Sequence, residues 1–183
     1  MKYTLISFYS EPEEGGTYYT EHAARLKGQC ERLGIIHLIE NIPTTGNYYT
    51  NTFLKPQFIL SCMDRLNTPL LWIDADCNLT DIPQLDSFEE YDVGALQRGG
   101  HLPIFSHALF FNQSKESRDI LNRWNEISKI VSVEWKGTPK SDHDALVIAL
   151  TELKSRFKFK FIEQNFTQLV LAPKSIIKSK CLR

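Results

Sequence analysis

The sequence predicts an α/β fold, a mostly parallel sheet flanked by helices and built as a single domain over residues 1–183. Three observations carry that expectation. Strand-like and helix-like segments alternate from the amino terminus, and parallel strands need crossovers that helices supply. The third strand-like segment, Leu70 to Ile73, is an unbroken apolar run suited to burial on both faces. That run leads straight into two aspartates, Asp74 and Asp76, at the place where open α/β sheets keep their ligand crevice.

The first strand is expected in "KYTLISFY", which ends in the turn-like "SEPEEGG". A helix follows, capped by Thr20, with Leu26, Cys30 and Leu33 on one face and Gly34 just past its end. "IIHLIE" reads as the second strand and "NIPTTGNYYTNT" as a polar loop. Pro56 suits the first turn of a helix that carries Phe58, Ile59, Cys62, Met63 and Leu66 on one side, and "LLWID" is the third strand. The polar segment after the aspartates reads as a loop. "YDVGAL" and "HALFFN" are further strands, separated by "QRGGHLPIFS", a loop whose adjacent glycines allow it to flex. Ser114 caps a helix with Ile120, Leu121, Trp124 and Ile127 on one face. Ser141 caps another with Leu146, Leu150 and Leu153 inward. In "RFKFKFIE", phenylalanines alternate with lysines at the two-residue period of a half-buried strand, its lysines guarding an edge.

Composition narrows the function. With 21 basic against 22 acidic residues, no global field selects nucleic acid or an anionic membrane. The apolar runs are short and Glu11 interrupts the start, so neither a signal-peptide core nor a membrane span is expected. The four cysteines, Cys30, Cys62, Cys77 and Cys181, show no paired spacing and no clustering with histidine. A soluble cytoplasmic protein with reduced thiols is the expectation, and Cys77 is expected to be a small core filler.

Residues i and i+2 of an extended chain project to one side, so Asp74 and Asp76 are expected to aim their oxygens at one point. Two ionised carboxylates close together repel unless a cation joins them. Oxygen-only ligation with open positions suits Mg²⁺ or Mn²⁺, which take phosphate oxygens and waters as further ligands. A solvated carboxylate pair at a strand end has the same spacing.

"FLKPQFILSCMDRLNTPLLWIDADC" resembles the segment around the D-x-D motif of GT-A type, nucleotide-sugar-dependent glycosyltransferases. "FSHALFFN" looks like a later strand of that group, and "SDHDALVIAL" like its acidic helix start. The matches keep the family order from about Tyr18 to the strand near Phe161. The resemblance implies a GT-A-like, Rossmann-like domain that moves a sugar from a nucleoside-diphosphate sugar to an acceptor hydroxyl. Asp74 and Asp76 would form the metal and diphosphate site, with Asp76 the direct ligand and Asp74 towards the ribose or sugar. Lys55 would approach the donor, though a helix-start lysine looks the same in sequence. Ser7, Phe8 and Tyr9 would contact the nucleotide base, although core packing explains Phe8 equally well. Asp144 or Asp142 would act as general base on the acceptor hydroxyl. Ser141-x-x-Asp144 also has the form of a capping box, a structural role for the same carboxylate.

Two positions depart from the family pattern. His107, between Ser106 and Ala108, replaces a small residue and would reshape the sugar pocket as a specificity element, or pack as a core histidine. The tail after His143 has no histidine to act as third metal ligand. These departures, with the short chain, keep open a nucleotide-binding or regulatory module without transfer, or a site completed by a homo-oligomer, a partner protein or a large acceptor. A haloacid-dehalogenase-type phosphohydrolase shares an apolar strand ending in D-x-D. It places a threonine where this chain has Asn78. Nothing in the sequence names the nucleotide, sugar or acceptor. The pair Gly15-Gly16 lacks phosphate-loop spacing, and Arg98 and His101 are read as surface-loop residues.

Overall fold

The computed structural model describes residues 1–11, 16–45, 48–97, 104–134, 141–163 and 166–169. Its elements are β1 (Thr4–Tyr9), α1 (Tyr18–Leu33), β2 (His37–Asn41), α2 (Tyr48–Thr52), α3 (Lys55–Arg65), β3 (Leu70–Ile73) and β4 (Cys77–Leu79). A 3-10 turn (Asp86–Phe88) leads to β5 (Val93–Gln97), β6 (Ile104–Phe111), α4 (Lys115–Glu134), α5 (Asp142–Leu153), β7 (Phe159–Ile162) and β8 (Thr167–Leu169).

Six strands form one sheet in the order β2-β1-β3-β6-β5-β7. β1 pairs in parallel with both β2 and β3, and β5 in parallel with β7. Only β6 runs against its neighbours, β3 on one side and β5 on the other. The sheet is therefore mostly parallel, and the switch of direction falls beside β3, where the aspartates emerge.

The alternation of side chains along each strand divides the core into two layers. Leu70 and Trp72 pack with Ile6, Leu109 and Phe111 under α3, α4 and α5. Leu71 and Ile73 pack with Leu5, Phe110 and the Leu26 and Cys30 stripe of α1 on the other face. All four residues of β3 are buried, as the unbroken apolar run requires. The face expected for α4 is buried through Ile120, Leu121, Trp124 and Ile127. On α5, Leu146 is fully buried, while Leu150 and Leu153 are half-buried against the same layer.

Local signals fix most helix ends. Gly34 adopts φ 68°, and its left-handed turn lets the Ile35 amide reach Cys30 O at 2.9 Å. Pro56 lies in the first turn of α3, and the Ser117 amide donates to Ser114 Oγ at 3.1 Å to cap α4. Helix α1 starts three residues earlier than the Thr20 cap predicts, with Thr17 at the cap position. Thr17 bonds Glu21, while the Thr20 amide donates to the Glu11 carboxylate, so a residue outside the helix satisfies its first turn.

Three further expectations are corrected. The tyrosine-containing segment holds the short helix α2. Ile104 to Ser106 belong to β6 rather than to the loop before it. The polar stretch after the aspartates contains β4, which pairs antiparallel with β8. Cys77 and Leu79 are buried beneath α1, whose Gln29 accepts the Leu79 amide at 2.8 Å. Arg98, His101, Gly15 and Cys181 lie outside the described residues. Among those residues, no helix is long and apolar enough to cross a membrane.

Candidate functional site

β3 stops at Ile73, and the Cys77 amide closes onto Asp74 O at 2.9 Å, so Asp74 to Cys77 form a tight turn rather than an extended pair. The extended geometry from which a shared side was expected is therefore absent at these residues. Asp74 turns towards α3, where its Oδ1 accepts from Trp72 Nε1 at 2.7 Å and pairs with Lys55 Nζ at 2.9 Å. The charge of Asp76, after burial, raises the Tyr18 phenol at the start of α1.

Lys55 is 4 % exposed at the first turn of α3. Its Nζ lies 2.8 Å from Asp142 Oδ2, 3.4 Å from Ser106 O and 5.3 Å from the centre of the Trp72 ring. Burial alone would lower the ammonium's affinity for its proton, but Asp142 and Asp74 outweigh it and hold the pKa above the ordinary lysine value. One lysine thus joins the start of α3, the end of β3 and the start of α5. Asp144, two residues on, closes the capping box: its Oδ2 accepts the Ser141 amide at 2.7 Å while Ser141 Oγ accepts the Asp144 amide.

β6 carries a large bulge here. Ala95 pairs with Leu109, yet Gln97 pairs with Ile104, so two steps along β5 answer five along β6. The extra residues include Phe105, Ser106 and His107. Looping out turns the Ser106 carbonyl to Lys55 and lets His107 stack on Phe105, ring centres 4.8 Å apart, while its Nε2 meets Thr167 Oγ1 of β8 at 3.3 Å. His107 O accepts the Asp74 amide at 2.9 Å. Burial lowers the His107 pKa; Asp74 works against that fall and Lys55 adds to it.

On β1, Phe8 packs edge-on against Phe58 at 5.2 Å and against Trp72 at 5.3 Å, on the α3 side. Ser7 and Tyr9 alternate to the α1 side. Ser7 is fully buried, and its hydroxyl has no hydrogen-bond partner.

Sequence reasoning overlooked the polar face of α1. Tyr18, His22 and Arg25 follow one another at helical spacing, Tyr18 and His22 with ring centres 4.2 Å apart. Arg25 acts electrostatically on Tyr18, His22 and the Cys77 thiol, which places its charge beside the Asp74 to Cys77 turn. The stripe at i, i+4 and i+7 was readable, but no motif marked it. Cys77 is buried, and burial followed by both aspartates pushes its thiol far up, in keeping with a core filler.

A divalent cation at this turn would find Asp76 and Oδ2 of Asp74, since Oδ1 is already taken by Trp72 and Lys55. Among the described residues no third histidine, cysteine or carboxylate completes a cluster. Two carboxylate donors with the rest of the shell open fit Mg²⁺ or Mn²⁺, which commonly fill that shell with water and substrate phosphate.

No protein-family model matches the chain, and no curated protein does. Solved structures do. The chain is similar to a glycosyltransferase involved in the glycosylation of the major capsid of PBCV-1, with TM-score 0.63 and 16% identity over 89% of this chain and 82% of that one. It is also similar to the glycosyltransferase GlyE of Streptococcus pneumoniae TIGR4, with TM-score 0.58 and 12% identity over 88% of this chain. The apo form of GlyE gives TM-score 0.55 and 13% identity over 87%. The chain spans 45% of the GlyE chain, less than half its length. At these identities the likeness is one of fold: the chain has the α/β fold of glycosyltransferases.

Proposed function

We propose that the chain is a metal-dependent glycosyltransferase of GT-A type that moves a sugar from a nucleoside-diphosphate sugar to an acceptor hydroxyl. The observation that carries this reading is the carboxylate turn at the end of β3. It sits at the direction switch of a glycosyltransferase-fold sheet, with Asp74 held by Trp72 and Lys55. Asp76 and the second oxygen of Asp74 would hold Mg²⁺ or Mn²⁺, which when bound supplies positive charge to the departing diphosphate.

The chain's own residues do the positioning. Ser7 and Tyr9 line the α1 side of the nucleotide pocket. Lys55 fixes Asp74 and Asp142 towards the sugar, and the Ser106-His107 bulge forms the wall that selects it. Asp142, paired to a buried ammonium, is suited to accepting hydrogen bonds from sugar hydroxyls. Asp144 serves the cap with one oxygen and keeps the other for the acceptor end. Asp76→Asn removes one ligand charge at a half-buried position and keeps the side chain's size, so the fold should survive while metal-dependent sugar transfer falls to background. Unchanged transfer in that variant would rule the assignment out.

One observation favours a second reading, a nucleotide-binding module without transfer. Lys55 pairs with both Asp74 and Asp142, so both carboxylates are engaged before any substrate arrives. That reading predicts nucleotide binding with no sugar turnover on any acceptor.

A further inference from the structure

Buried polar atoms in folded proteins almost always find partners, so a cluster of orphans in one corner points to something that belongs there. Such a cluster lies between β1, α1 and the aspartate turn. Ser7 is fully buried and His22 is 8 % exposed, yet Ser7 Oγ and His22 Nδ1 have no hydrogen-bond partner. Arg25 completes the set: its Nε and Nη2 are both shielded from solvent and unbonded. Among the described residues no carboxylate lies within ion-pair distance of it; Glu11 and Glu21 act on His22 but do not pair with Arg25. Arg25 is half-buried, and shielded N–H donors left without an acceptor are costly, while a planar fork of such donors matches phosphate oxygens.

We propose that Arg25, with His22 and Ser7 beside it, is a cation-independent phosphate-binding site that takes a phosphoryl oxygen of a diphosphate on the α1 side of the pocket, across from Asp76. The inference rests on the transferase reading for the nature of the ligand, and on the orphaned donors for its place. Two consequences follow for Arg25. In the ligand-free protein its charge destabilises the fold, so its removal leaves stability equal or higher. In the liganded protein it holds the diphosphate, so its removal weakens binding.

The experiment is isothermal titration in the presence of a chelator, with wild type, Arg25→Gln and Arg25→Lys. The probes are uridine, guanosine, adenosine and cytidine diphosphates, their matched nucleosides, and inorganic pyrophosphate, with ligand-free melting curves alongside. Wild type should prefer a diphosphate over its nucleoside, and Arg25→Gln should cut that preference roughly tenfold or more, with nucleoside affinity unchanged. Arg25→Lys should keep part of the preference, and ligand-free Arg25→Gln should melt no lower than wild type. A preference that survives in Arg25→Gln overturns the proposal, as does a lowered melting point with nucleoside and diphosphate affinity lost alike. Diphosphate binding that appears only when Mg²⁺ is restored overturns the Arg25 site and leaves the transferase reading standing. Pyrophosphate binding lost in Arg25→Gln with no nucleotide bound supports the site and removes the donor reading. No binding of any diphosphate, with or without Mg²⁺, overturns both.

Discussion

An ammonium at 4 % exposure carries a desolvation penalty that only opposite charge offsets. Lys55 meets two carboxylates, at 2.9 and 2.8 Å, and its loss strands both. Lys55→Met should therefore lower unfolding free energy by about 3 kcal/mol in urea titrations. Adding Asp142→Leu should recover part of that loss, because the second change removes one stranded charge. A loss in the double variant equal to the sum of the singles would show that the pair is not coupled. His22 gives a pH dependence of known sign. Burial lowers its folded pKa below 6.5 and Arg25 adds to that, against Glu21 and Glu11. Below about 6.5 the unfolded chain takes a proton that the folded chain resists, so the contribution is complete above that value and is lost as pH falls towards the folded pKa. His22→Gln should flatten the decline in melting temperature on acidification below about pH 6.5, and an unchanged decline would contradict the account.

Elements of eight or more residues with a clear period were legible. Helices α1, α3, α4 and α5 show their buried stripes in sequence, and Gly34, Pro56, Ser114 and Ser141 mark their ends. What escaped was short or depended on distant partners. β4 is a three-residue strand whose partner, β8, lies some ninety positions away, and three residues carry too little alternation to separate a strand from a loop. The β6 bulge follows from how β5 meets it, which no local pattern encodes. The turn at Asp74 is the instructive case: the residues were identified, but extended geometry was assumed where the chain reverses. The Ser141-Asp144 capping box was legible as four letters and is present with both bonds. Ser141→Ala should cost about 1 kcal/mol of stability, measured by thermal melting, since it frees the Asp144 amide at the start of α5. A melting point equal to wild type would mean that the cap contributes nothing.

At the scale of the molecule, the sheet divides two core layers, and Lys55 ties Asp74 to the layer of α3, α4 and α5. Asp76 acts electrostatically on Tyr18 at the start of α1. β6 runs antiparallel to β3 beside the turn, and its bulge brings the Ser106 carbonyl to Lys55 and the His107 carbonyl to the Asp74 amide. The fold was readable from the order of elements, and its match to glycosyltransferase structures at 12% to 16% identity rests on that order rather than on shared residues. The site was readable only as a set of letters, because how the carboxylates are held depends on the turn and on Lys55, which comes from another element.

The most direct measurement is a thermal-shift panel of nucleoside diphosphates and their sugar conjugates, with and without Mn²⁺, on wild type and Asp76→Asn. A ligand present at about 100 times its dissociation constant stabilises the native state by about 2.7 kcal/mol, which such a melt resolves. One nucleotide should raise the melting temperature, Mn²⁺ should increase the rise, and Asp76→Asn should abolish the Mn²⁺ increment while leaving the ligand-free melt in place. A nucleotide shift of equal size in both proteins, indifferent to Mn²⁺, would contradict that expectation.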